Sequence, residues 1–337
     1  MLNKIYDKLK KIIKENYKDA LIMAVIIIVM LFPLPYYIYI GGGTININDR
    51  VIIDNSYKSR GTFNLAYVSE LRATPPTYLL SFLLPNWELE PISSYKAAQK
   101  ETTSDVSKRD RLYLEESNLN ALKVAYTSSG KYLNIKNNRF TIIYVDDKVS
   151  EDVKIGDVLI SADGKDIEKL DQYKSIVESK NYGDTVKLNI LRDNNQKEVI
   201  IKVRKIDNKK LTGLSLVNVY EYEAKPQIKF NFEKSESGPS GGLMLALSIY
   251  DKLVSEDITK GLKIVGTGTI DENGNVGEIG GVKYKLIGAV NANADVFLAP
   301  SGDNYSECIE IKKKKNYNIK ILEIKTFRDA LEKLKNI

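Results

Sequence analysis

An uncharged run of 21 residues, 20–40, limits where this chain of 337 residues can reside. At ~1.5 Å per residue, a helix of that length crosses the hydrocarbon layer of a bilayer, which is about 30 Å thick. We therefore predict one transmembrane helix over residues 20–40. Pro33 and Pro35 would kink or end it, and the nearby tyrosines suit the water interface. A buried core helix is the alternative, but no polar stripe runs through the segment.

The charges before this run predict its orientation. Residues 1–19 carry six lysines against three acidic side chains, which should stay in the cytoplasm by the positive-inside rule. The chain after Gly41 would then lie outside the cytoplasm, as the body of a single-pass protein. A cleaved signal peptide is the other possibility, since residues 41–43 are small, although the long basic segment favours an uncleaved anchor. The remaining positive charge is too dilute for nucleic-acid binding.

The chain contains no histidine and a single cysteine, Cys308. Serine or cysteine nucleophiles paired with histidine are therefore excluded, as are metal sites built on imidazole or several thiolates. We expect no metal and no cofactor. An enzyme with this composition must use serine, threonine, lysine, tyrosine or carboxylate groups.

A β-rich pattern runs from Phe140 to about Lys205. It contains V-K-I-G-D-V-L-I-S-A-D-G-K from Val153, a predicted helix, and G-D-T-V-K-L-N-I-L-R from Gly183. The pattern resembles a PDZ domain of the permuted bacterial kind, which implies binding of extended peptides at a sheet edge. The family's carboxylate-binding loop would precede Phe140, but its usual glycine is missing here. The candidate peptide-binding residues are Asn138, Arg139, Phe140 and Thr141.

A second motif, G-P-S-G-G, contains a candidate nucleophile. Gly238 and Pro239 predict a turn, and Ser240 then opens a helix with leucines at helical spacing. A helix start offers free N–H donors that can stabilise an anion beside the serine hydroxyl. A simple N-cap role for Ser240 is the alternative. The glycines after it weaken that alternative, because glycine disfavours helix and favours close backbone approach.

A serine nucleophile needs a base, and here the base must be a lysine, a carboxylate or the chain terminus. Downstream, a hairpin around Asn273-Gly274 leads to Gly280-Gly281, which opens a helix carrying Lys283 and Lys285. Helical geometry alone does not choose between these two lysines.

The serine motif, the stretch G-T-G-T-I-D from Gly266 and the later G-G-V-K-Y-K together resemble the proteolytic domain of Lon-type serine–lysine peptidases. The resemblance is to their membrane-anchored PDZ–Lon subgroup, which lacks an ATPase. It implies that Ser240 is the nucleophile, that Lys285 is the base, and that Thr267 positions the lysine. Gly238, Pro239 and Gly241 would support the site. Many relatives carry alanine at the position of Gly241, so we expect a looser turn here.

The predicted fold class is α+β, with five segments. These are a cytoplasmic basic segment (1–19), the transmembrane anchor (20–40), an extracytoplasmic segment partly packed on the protease domain (41–110), a PDZ-like domain with a leading helix (111–205), and a Lon-type proteolytic domain (206–337). Strands from residues 44–90 can complete the last domain.

The predicted function is a membrane-anchored, ATP-independent serine endopeptidase that hydrolyses unfolded or extended polypeptides outside the cytoplasm. The sequence has no G-x-x-x-x-G-K-[S/T] motif, so we expect neither ATP nor nucleic acid as a partner. The resemblance implies a homo-oligomer, with rings of six in relatives. The alternative is a non-catalytic PDZ adaptor or oligomerisation scaffold.

Overall fold

A computed structural model describes residues 2–150, 152–233 and 236–337, without the side chains of residues 2–9, 11–15 and 137. The chain divides into two compact units. The first comprises Met1–Gly41 and Ser69–Ser94, and the second comprises Gly42–Val68 and Tyr95–Ile337.

The described residues form the following elements. The helices are α1 (Leu2–Leu31), α2 (Pro75–Ser81), α3 (Thr103–Ser128), α4 (Leu170–Ser179), α5 (Gly242–Leu253), α6 (Val282–Asn291), α7 (Asp303–Lys315) and α8 (Phe327–Lys335). The strands are β1 (Tyr36–Ile40), β2 (Thr44–Asn46), β3 (Val51–Ile53), β4 (Thr62–Ala66), β5 (Ser69–Arg72), β6 (Glu88–Pro91), β7 (Tyr132–Val145), β8 (Val158–Ala162), β9 (Lys165–Asp166), β10 (Thr185–Arg192), β11 (Asn195–Lys202), β12 (Arg204–Ile206), β13 (Lys209–Leu211), β14 (Leu214–Lys225), β15 (Ile228–Phe230), β16 (Lys263–Gly266), β17 (Thr269–Ile270), β18 (Val276–Gly277), β19 (Val296–Pro300) and β20 (Lys320–Ile324).

The first unit joins α1 and α2 to a three-stranded antiparallel sheet of order β5-β1-β6. The prediction of one helix over residues 20–40 is wrong for its last part, because α1 ends at Leu31 and residues 36–40 form the central strand. Pro33 and Pro35 lie between the two elements, and a proline cannot continue the helical hydrogen bonds. In the part of the chain that the structure describes, no helix has the length and hydropathy needed to cross a membrane.

The second unit contains a five-stranded sheet of order β2-β4-β16-β19-β20, parallel except for β2. Phe63 and Ile264 point to one face and pack with α3 and α5. Val265 and Phe297 point to the other face and pack with α6 and α7. This alternation of buried side chains produces three layers, in which helices cover both faces of the sheet. The predicted mixed α+β class is confirmed.

The N-terminal strands take part in this sheet. β4 pairs in parallel with β16, with Phe63 opposite Ile264, although the two residues are far apart in sequence. Strands β2 and β4 therefore complete one side of the five-stranded sheet. Residues 69–94 belong to the first unit.

The PDZ region forms a separate antiparallel sheet of order β11-β10-β8-β7-β14, with β9 paired to β8. It has its own core, which includes Ile142, Leu188 and Ile190. The predicted leading helix, expected near residues 115–125, is longer and begins at Thr103, because Thr102 and Asp105 form a capping box.

The leading helix α3 does not belong to the PDZ core, contrary to the predicted domain of residues 111–205. Its Leu122 and Tyr126 are fully buried in the same cluster as α5. The helix α3 is thus part of the core that lies between α5 and the five-stranded sheet, and the chain continues from it into β7.

Candidate active site

Ser240 follows a tight turn that two contacts with α3 hold in place. Gly238 adopts a left-handed φ of 85°, which glycine tolerates best. Its N–H donates to the carbonyl of Asp110 at 3.0 Å. The Ser117 hydroxyl donates to the carbonyl of Pro239 at 3.1 Å. Ser240 itself is only half-buried, so a substrate can reach its hydroxyl.

The two glycines after Ser240 allow close packing. A Cβ at Gly242 would lie 2.7 Å from Ile270 Cγ2, so only glycine lets α5 approach that strand this closely. A Cβ at Gly241 would lie 2.9 Å from Leu65 Cδ2. We expected Gly241 to loosen the turn, whereas the structure shows that its lack of a side chain makes room for Leu65.

Thr267 links the serine segment to the lysine. The Thr267 hydroxyl donates to the Ser240 carbonyl at 3.0 Å and accepts from Lys285 Nζ, also at 3.0 Å. The N–H of Gly268 donates to the same Ser240 carbonyl at 2.8 Å. Because Thr267 follows β16, the carboxyl end of a central strand sets the spacing between the two candidate catalytic residues.

Lys285 lies inside the protein. Its side chain is on the buried face of α6 and the residue is 4% exposed. Removal from water disfavours the ammonium form and lowers the pKa of Lys285 from 10.5 to about 7. Lys283 is less buried, and its ammonium stacks over the Tyr284 ring at 5.1 Å. Burial thus distinguishes the two lysines that helical geometry left open, and Lys285 has the properties of a base.

Among the described residues, no hydrogen bond joins Lys285 to the Ser240 hydroxyl; the lysine is held by Thr267 instead. Contacts between a nucleophile and its base are often loose before substrate binds. The arrangement therefore holds the buried amine of Lys285 next to the serine segment, without a contact to the Ser240 hydroxyl.

Two cavities flank the serine turn, and sequence reasoning missed both. The first is small, with a volume of about 40 Å³, and has a mainly apolar lining that includes Ile45, Leu65 and Phe232. At its edge, Arg50 binds Glu236 at 2.8 Å. The second, of about 390 Å³, lies between α3 and the β17–β18 hairpin. The sequence gives no local signal for either, because both combine segments distant along the chain.

Glu116 of α3 lines the second cavity. Burial, with the charge of Glu272 nearby, raises the pKa of Glu116 from 4.5 to about 7. This carboxyl therefore titrates in the same range as Lys285. Within the described ranges, no group of three or more Asp, Glu or Cys side chains is placed to hold a metal ion.

With Lys285 as the predicted base, the rate of peptide cleavage is expected to rise with pH through about 7, because a base must lose its proton before it can accept one from serine. The variant Glu116→Gln removes one of the two groups with a pKa of about 7, so that only Lys285 of this pair still titrates there. We expect the rate of this variant to rise with pH through about 7, as in the wild type. A pH–rate profile that becomes flat in this variant would assign the rise to Glu116 instead.

The four candidate peptide-binding residues do not form an open edge, which corrects that prediction. Phe140 and Thr141 are buried and pair with β8 on one side and β14 on the other. Arg139 also pairs with β14, and the Asn138 side chain accepts a hydrogen bond from Asn218. A peptide cannot add a strand to β7, because both of its edges are already paired there.

The sheet edges of this domain are β11 and β14. The start of β14 lies near α4, where Tyr173 and Thr212 share a hydrogen bond of 2.7 Å.

Comparison with known families identifies both domains. Residues 124–203 match the family model of the PDZ domain, and residues 234–336 match that of the Lon protease (S16) C-terminal proteolytic domain. The chain therefore carries a PDZ domain followed by a Lon-type proteolytic domain, and the predicted resemblance is confirmed. The second match supports the prediction of a serine-type peptidase.

The similar curated proteins are Lon proteases. That of Campylobacter jejuni subsp. jejuni is 34% identical over 101 residues, which is 29% of this chain and 12% of the relative. That of Neorickettsia sennetsu is 30% identical over 97 residues, or 29% of this chain and 11% of the relative. This chain thus spans only a small part of either. Among solved structures, the PDZ domain of an SdrC-like protein from Listeria monocytogenes is 25% identical, covering 23% of this chain and 86% of that one, with a TM-score of 0.22.

Proposed function

We propose that this protein is an ATP-independent serine endopeptidase in which Ser240 is the nucleophile and Lys285 the general base. The observation that carries the proposal is the burial of Lys285, whose amine binds Thr267 while Thr267 binds the Ser240 carbonyl. A buried lysine with a pKa of about 7 is neutral in a large fraction of molecules at neutral pH. It can then accept a proton, which an exposed lysine cannot do.

In the proposed reaction, the Ser240 oxygen attacks the carbonyl carbon of the scissile peptide bond while Lys285 takes the hydroxyl proton. The carbon–nitrogen bond then breaks, and the lysine gives that proton to the leaving amine. Water hydrolyses the resulting ester and frees the serine. Backbone N–H groups at the start of α5 would stabilise the oxyanion.

The proposed substrates are unfolded or extended polypeptides. Cavities lie on both sides of the Ser240 turn, which suits a chain that passes across the nucleophile in an extended form. The absence of a P-loop motif from the sequence supports independence from ATP. The PDZ domain would select substrates.

The proposed location is the outer face of a membrane, with the basic segment 1–19 in the cytoplasm. Apolar side chains of α1 between Leu21 and Leu31 are all exposed, which suits a lipid environment better than water. Assembly into a homo-oligomer, of six subunits as in relatives, is part of the same proposal and rests on the resemblance.

The central test compares the full-length protein with Ser240→Ala in the degradation of casein, an unfolded substrate, without ATP. We expect the wild type to cleave casein and the variant to lose activity by at least about 10³-fold, because the attacking atom is gone. Circular dichroism would verify that the variant is folded. If neither protein cleaves casein between pH 6 and 10 while the wild type binds peptides, the adaptor function would be the better account.

A further inference from the structure

Two uncharged segments meet in the first unit. One is the apolar end of α1 up to Leu31. The other is residues 73–87, which contain α2 and no charged side chain. The hydrophobic side chains that follow the first turn of α2 are exposed rather than packed inward, namely Leu79, Leu80, Phe82, Leu83 and Leu84. We call these five residues the leucine patch.

The leucine patch is anchored beside the end of α1. The N–H of Leu34 donates to the carbonyl of Ala73 at 2.8 Å, and the N–H of Ala73 donates to Tyr36 at 3.0 Å. Aromatic contacts extend this connection: the rings of Tyr36 and Tyr78 lie 5.5 Å apart, and those of Tyr78 and Phe82 lie 5.3 Å apart. The patch is therefore held in a defined position and is not a loose loop.

The end of α1 and the leucine patch both expose large apolar side chains. Leu31 at the end of α1 is 69% exposed, and Leu83 is 78% exposed. Soluble proteins rarely leave such contiguous apolar groups in water, so a partner must cover them.

We infer that the leucine patch is a second lipid-contacting segment, which inserts among the acyl chains and headgroups beside the end of α1. This inference rests on the membrane attachment in the proposed function. Two features favour lipid over a second protein copy. The uncharged run is bounded by Arg72 and Glu88, and tyrosines and Trp87 flank it as at membrane interfaces.

The chain offers a built-in probe, because Trp87 is its only tryptophan and lies three residues after the patch. The full-length protein would be reconstituted into vesicles of phosphatidylcholine and phosphatidylglycerol, with or without brominated acyl chains. Bromine quenches tryptophan on contact. We expect about a two-fold loss of Trp87 fluorescence in the brominated vesicles, as for a ring within the roughly 5–10 Å interfacial layer.

Two variants complete the experiment. Leu83→Asp should remove most of the quenching while the protein still floats with vesicles through α1. Ile200→Asp, an equally simple change at an exposed aliphatic residue of β11, should leave the quenching unchanged.

The other outcomes overturn the inference in distinguishable ways. Flotation without quenching of Trp87 would reject the leucine patch and leave the anchor standing. Failure to float would reject the anchor and this inference together, while casein cleavage reports on the catalytic proposal separately. If Leu83→Asp lowered the oligomeric mass and left the quenching intact, the patch would bind a second copy of this chain.

Discussion

Replacing Lys285 with methionine is expected to abolish peptide cleavage and to stabilise the folded protein at neutral and acidic pH. Loss of the base should lower the rate by at least about 10³-fold, since general bases contribute roughly 10²–10⁴-fold. The gain in stability has a separate cause. The folded protein has to bury an amine that prefers to be protonated, and methionine fills a similar volume without that cost.

The pH dependence of this gain follows from the pKa of Lys285, which falls from 10.5 to about 7 on folding. Below pH 7 both states of the wild type bind the proton, and the full cost of burying the charge is present. Between pH 7 and 10.5 only the unfolded state keeps the proton, so wild-type stability rises with pH. The advantage of the variant should be largest below pH 7, at most roughly 4–5 kcal/mol, and should vanish above about 10.5.

Lys283→Met is the matched control, because Lys283 lies two positions earlier on the same helix and is less buried. It should keep its activity and show no comparable rise in stability. Denaturant unfolding at several pH values, together with casein cleavage, measures both effects. An active Lys285→Met enzyme would contradict the assigned base, and a stability difference independent of pH would contradict the lowered pKa.

Thr267→Val is expected to reduce cleavage by about 10²-fold, within the range for a group that orients a catalytic residue. Valine keeps the shape of the fully buried Thr267 but removes the acceptor for Lys285 and a donor to the Ser240 carbonyl. The lysine would then be free to leave its position. The loss of hydrogen bonds in a buried site should also cost about 1–3 kcal/mol of folding free energy.

Thr267→Ser is the control for this prediction, since it retains the hydroxyl and should recover most of the activity. Single-turnover kinetics on a peptide substrate would show whether the acylation step is the one affected. An unchanged acylation rate in Thr267→Val would mean that the threonine does not position the lysine.

The local parts of the site could be predicted from the sequence. The turn, the nucleophile and the helix that follows occupy consecutive residues from Gly238, so their chemistry is encoded within one short motif. The choice between Lys283 and Lys285 could not be made by geometry alone. It depends on what packs against α6, and the structure supplies that information as burial.

Features that depend on distant segments could not be predicted. The sequence predicts peptide binding at residues 138–141, but β14, which follows the PDZ pattern in the chain, pairs with Phe140 there. The packing of α3 could not be predicted for the same reason, since its buried face lies in one core with α5, which follows much later in the chain, and with residues of β7 and β14. Local hydrophobic patterns predict a helix or strand and its buried face, but they do not identify the distant helix or strand that packs against that face.

The strand at residues 36–40 could not be predicted for a different reason, because its residue types suit two structures. Three tyrosines after an apolar run suit both a membrane interface and a β-strand, because aromatic residues are favoured in both. Pairing with β5 and β6, which follow much later in the chain, decides for the strand.

The pairing of β4 with β16 also has a consequence for biosynthesis. Phe63 lies opposite Ile264, so the sheet that carries Thr267 is assembled from chain made before and after the whole PDZ domain. A nascent polypeptide that has emerged only as far as Ser240 still lacks β16 and α6, and with them Thr267 and Lys285. Such long-range contacts form late in folding. With the proposed Ser–Lys dyad, emerging chains would therefore be inert until α6 has been synthesised and the sheet has formed.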